Sequence, residues 1–108
     1  MIFHITSRSH WQQAQSIGEY RADSLTTEGF IHCSKAEQVI WVANQFYRNS
    51  PDLVLLHIDP SKLTAELRYD AIETGEEFPH LYGALNLDAV TQVIDFSPQP
   101  DGTFSELS

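Results

Sequence analysis

In Gly29-Phe30-Ile31-His32-Cys33-Ser34, His32 and Ser34 stand two residues apart, a spacing that puts an imidazole and a hydroxyl on one face of an extended chain. A helix is predicted to begin directly after them, and the free amides at a helix start favour negative charge, so a ligand phosphate or carboxylate could dock there. The plainer alternative makes Ser34 a helix cap and His32 a hydrogen-bonded structural residue. Phe78-Pro79-His80-Leu81-Tyr82-Gly83 concentrates two aromatics and a histidine in a segment predicted to be an irregular loop, where costly side chains often serve a site. Just upstream, Asp70 is predicted to lie within a strand, where an acid without a purpose is expensive. Asp70 and His32 are therefore the candidate catalytic pair, able in principle to act as acid and base.

His4, His32, His80 and Asp70 could instead ligate a metal, but no two of them have the i, i+4 spacing of helix-borne zinc ligands, and Cys33 is the lone cysteine. No metal site is predicted. Cys33 is read as a small buried hydrophobe facing away from His32, and His10 and His57 as surface or core-edge histidines. The chain lacks the Gly-x-Ser-x-Gly turn of serine hydrolases and the glycine-rich loops of nucleotide folds.

These residues need a scaffold. Alternation predicts strands over Met1–Thr6, with His4 and Thr6 on one face, and over Phe30–Ser34. The capping-box patterns Ser9/Gln12 and Ser34/Glu37 predict helices over Ser9–Tyr20 and from Ser34 to about Asn49, the second burying Ala36, Val39, Ile40, Ala43, Phe46 and Tyr47. Arg21–Gly29 reads as a loop, and Leu53–Ile58 as a central strand covered on both faces. A turn at Asp59-Pro60, a strand over Leu67–Ile72, an acidic turn around Gly75, a helical turn within Leu85–Val90 and a strand over Val93–Phe96 follow. Residues 1–97 form the expected single domain, and residues 98–108 a loosely held polar tail.

The 15 acidic and 6 basic residues give a net charge of −9, which repels long nucleic acid but leaves room for a small anionic, nucleotide-like ligand. No stretch is apolar enough for a membrane span and the start does not read as a signal peptide, so a cytoplasmic location is expected.

Ile2-Phe3-His4-Ile5, Glu28 to Ser34, Ala43-Asn44-Gln45-Phe46-Tyr47, Leu53 to Leu56 and Phe78 to Gly83 together resemble the small bacterial family known as domain of unknown function 952. The resemblance implies an α+β fold like that of the ADP-ribosyltransferases, with two small packed sheets, about two main helices and a cleft that takes NAD as substrate in the enzymes. His4 and Thr6 match a first-strand pattern that touches ribose, and Phe30 to Ser34 looks like the His-Val-His-Leu-Ser strand of RNA 2′-phosphotransferases. The resemblance thus implies His4, Thr6, Ser34, Phe78, His80 and Tyr82 as ligand-binding residues. Asp70 stands where the family commonly has a glutamate, and would stabilise charge on the ribose. The activities weighed are an NAD-using transferase or glycohydrolase, a non-catalytic nucleotide or metabolite-binding module, and a His/Asp hydrolase or epimerase.

Overall fold

The computed structural model describes residues 1–105. Leu53–Ile58 (β4) is the central strand of a three-stranded antiparallel sheet, flanked by Ile2–Ser7 (β1) and Val90–Asp95 (β8). Its apolar run is explained by burial on both sides. Val54, Leu56 and Ile58 join a core with Ile2, Trp11, Tyr20, Ile31 and Leu81, while Leu53 and Leu55 pack with Phe3, Ile5, Val39, Ala43 and Phe96.

The first helix, α1, covers Arg8–Ile17. Its N-cap is Ser7, whose hydroxyl accepts from the His10 amide, and not the predicted Ser9, because Ser7 is the last extended residue of β1. It ends at Gly18, where a φ of 101° suits glycine, so Tyr20 lies beyond the helix in a two-residue strand, β2 (Glu19–Tyr20), paired with β7 (Leu85–Asn86). The predicted loop contains a short helix, α2 (Asp23–Thr27).

β3 is only Ile31–His32, and the second long helix, α3, is Val39–Phe46, entered through a 3₁₀ turn at Ala36–Gln38. Ser34 does not cap it. The Gln38 side chain instead accepts from the Lys35 amide at 2.9 Å, which starts the turn one residue later than the sequence pattern suggests. Phe46, predicted to be buried, is 71% exposed, since the face of α3 that meets the sheet is centred on Val39 and Ala43.

The predicted loop at 78–83 is a strand, β6 (Glu77–Tyr82), the middle one of a second antiparallel sheet between β3 and β5 (Glu66–Ala71). Pro79 is tolerated there because its position opposite Tyr69 asks for no hydrogen bond toward β5. Toward β3 its carbonyl accepts from the Cys33 amide at 3.0 Å, but it has no N–H to return. β3 therefore stops, and Ser34 turns to β1, exchanging backbone bonds with Phe3 at 2.8 and 2.9 Å. That bridge joins the sheets.

Asp59 caps the Pro60–Lys62 turn as expected, and a second turn covers Leu87–Ala89. The expected two sheets are two of three strands plus the β2–β7 ribbon, an α+β arrangement with two main helices. Within residues 99–105 the chain is held at Phe104, which is buried against Phe96 and has both its amide and its carbonyl bonded by the Asn44 side chain. Residues 106–108 of that predicted tail lie outside the described residues. No described helix is long and apolar enough to cross a membrane.

Candidate functional site

Opposed residues of an antiparallel pair share a face. The registers His32↔His80 and Asp70↔Phe78 therefore place Phe30, His32 and Ser34, then Phe78, His80 and Tyr82, then Arg68 and Asp70 on one side of the second sheet. His80 is the hub of this face. Its ring stacks on Phe30 with centroids 4.0 Å apart and planes 4° from parallel, and meets His32 edge-on at 5.4 Å. Its Nδ1 lies 2.9 Å from Asp70 Oδ2, which also accepts the Tyr82 hydroxyl. The Tyr82 hydroxyl and His80 hold the Asp70 carboxyl below the usual carboxylate range. A carboxylate only accepts, so Nδ1 carries the proton and the lone pair of a neutral ring is on Nε2. That nitrogen has no hydrogen-bond partner among the described residues and is not sealed from solvent.

His80 faces a cleft of about 560 Å³ between the two sheets and α3, walled largely by apolar groups that include Phe30, Trp41, Phe46, Ile72 and Phe78. His4, Ile5, His32 and Tyr47 also line a second, more polar hollow of about 290 Å³ with Thr6, His10, Tyr20, Asp23 and Ser24. The two spaces meet at His4 and His32.

His4 is only 7% exposed and both of its nitrogens are used inside the protein. Nδ1 donates to the His32 carbonyl at 2.5 Å, and Nε2 lies 2.8 Å from the Tyr20 hydroxyl, itself 3.0 Å from Thr6 Oγ1. His4 therefore ties β1 to β3 and β2 and offers a ligand its ring edge, with no free donor. Burial lowers its pKa to about 4 from 6.5. Between these values the unfolded chain takes up a proton that the folded chain refuses, so stability falls as pH drops below 6.5. The loss reaches about 3 kcal/mol by pH 4. Urea denaturation of the native chain and of His4→Gln across this range checks it; an equal acid slope in both proteins would remove His4 as the cause.

Of the residues expected at the site, His4, His32, Ser34, Phe78 and His80 line the large cleft and Thr6 the small one. Asp70 and Tyr82 do not; they stand behind His80. The expected partnership of His32 with Asp70 is not made, because register sets Asp70 diagonally to His80, and His32 Nε2 pairs instead with Glu28 Oε2 at 3.1 Å. Glu28, Phe30 and Trp41 were not assigned to the site from sequence, and the four-residue interval from Glu28 to His32 was the available signal. Cys33 is buried, with its thiol pushed up to about 12, which makes it inert as a nucleophile. Among the described residues, no three His, Cys, Asp or Glu side chains are grouped as metal ligands.

A family model described as "Protein of unknown function (DUF952)" matches residues 5–93. The chain belongs to the DUF952 family. A crystal structure of protein CC0527 from Caulobacter crescentus is 34% identical, covers 94% of this chain and 90% of its own, and superposes with a TM-score of 0.88. The solution NMR structure of the same protein, also 34% identical over 94% of this chain and 89% of its own, gives 0.82. No curated protein matches. The DUF952 match spans every wall of the cleft described above, from Ile5 through Phe78 and His80, apart from His4 at its edge.

Proposed function

We propose that the cleft is the active site of a small-molecule enzyme in which His80 transfers a proton, and that its substrate is NAD or a related ADP-ribosyl compound. The observation that carries the proton-transfer role is the His80 ring itself, fixed by Asp70 at Nδ1 and open at Nε2. The substrate class rests on the resemblance to ADP-ribosyltransferases, supported by the aromatic walls and by the meeting of two hollows at His4 and His32. On this reading the ribosyl carbon–nitrogen bond breaks, and neutral nicotinamide leaves with the bonding pair. A hydroxyl, amine or water bonds to the same carbon and gives its proton to His80 Nε2. Glu28, the carboxylate that lines the large cleft, takes the charge-offsetting role that the resemblance gave to Asp70.

A proton–nitrogen NMR titration with NAD, ADP-ribose and nicotinamide tests this, followed by an assay for released nicotinamide. Saturable shifts at residues 28–34 and 78–82 together with release are expected. Shifts without release would leave a binding module, and silence at millimolar ligand would end the NAD reading. A second reading keeps His80 and Asp70 as the acid–base unit of a hydrolase or epimerase acting on a phosphate-free substrate. It is favoured by one observation: among the described residues, no lysine or arginine lines either hollow.

A further inference from the structure

The large cleft combines three properties. Its mouth is aromatic and exposed, with Trp41 52% and Phe46 71% accessible at one rim and Phe78 and Phe30 deeper in. Its only carboxylate among the described lining residues is Glu28, which meets His32 Nε2 at 3.1 Å through one oxygen, Oε2, and no described lysine or arginine lines the cleft beside it. Ser34, 7% exposed, turns into the space a hydroxyl that makes no hydrogen bond among the described residues yet is not sealed off. The mouth is flanked by more negative charge. Ile72 and Phe78 both line the cleft, and the turn between them exposes Glu73, Glu76 and Glu77, with Glu76 tied by Gln38 at 2.9 Å to the start of α3.

An aromatic, carboxylate-bearing hollow on a chain of net charge −9 attracts a cation at long range and holds it by ring faces and an ionic hydrogen bond at short range. We infer that the large cleft binds an organic amine with an apolar or aromatic body, its ammonium group between Glu28 and Ser34 and its body against Trp41 and Phe78. This does not rest on NAD being the substrate.

The test is a low-salt NMR titration of the full chain at pH 7.5 with three compounds of one shape: phenethylamine, phenethyl alcohol and phenylacetate. The amine is expected to shift Glu28–Ser34 and the Trp41 indole and to bind roughly 10-fold or more tighter than the acid, most of that margin disappearing in Glu28→Gln. Trp41→Ala, at an exposed position that leaves the core intact, is expected to weaken the amine and the alcohol alike. Equal or tighter binding of phenylacetate, or of the alcohol, overturns the inference, as does the absence of shifts at high millimolar amine. NAD titrated separately keeps the two readings apart, since either ligand can fail while the other binds.

Discussion

On the proposed NAD reading, His80→Gln is expected to fold like the parent protein, bind NAD-derived ligands within a few-fold of it, and lose roughly 10² to 10⁴ of the turnover. Glutamine fills much of the same space against Phe30 and retains a donor for Asp70, but it offers no basic nitrogen at the cleft. Asp70→Asn is the companion variant. It preserves size while allowing the imidazole to present the wrong nitrogen, so a loss on the order of 10²-fold is expected in kcat with little change in KM. Because Asp70 acts through His80, it is a positioning residue, and a merely structural role would move the melting temperature rather than this split. Rates of nicotinamide release and a thermal melt of each variant check the prediction. Full turnover in His80→Gln would move the chemistry elsewhere in the cleft.

The largest stability effect is expected from a residue that does not line the cleft. Phe104→Ala should cost roughly 3–5 kcal/mol, read as the fall in the urea midpoint at unchanged slope. Phe104 stacks on Phe96 with centroids 4.8 Å apart, and both of its backbone groups are bonded to Asn44, at 2.8 and 2.9 Å. Removing the ring uncovers one side of the core that β1 and β4 share with α3. A midpoint within error of the parent would mean that residues 98–105 contribute no packing.

These two predictions draw on what the sequence made legible and on what it hid. The uninterrupted apolar run of β4 and the alternation of Phe30, His32 and Ser34 against Ile31 and Cys33 were readable, because burial writes itself into residue type at period one or two. The strand at Glu77–Tyr82 was not, since Pro79 argues against any central strand unless the hydrogen-bond phase of its neighbours is known. Phe104 was hidden for a similar reason: two asparagine side-chain bonds from a distant helix hold a segment whose composition reads as a tail. At the site, most of the expected residues lie together along one cleft, and the expected pairing of His32 with Asp70 is not made. Asp70 could be placed on a strand but not opposite a particular histidine, because partner choice depends on register, and a register is not a local property.

Pro79 leaves one further mark on the cleft. A strand that kept its partner would have carried His32 and Ser34 along a single sheet; instead the chain changes allegiance between them, so His32 pairs with β6 and Ser34 with β1. Two neighbouring side chains of the cleft are thereby mounted on different plates. Any rocking of one sheet against the other opens or closes the gap between an imidazole and a hydroxyl, turning a missing hydrogen atom into the pivot of the site.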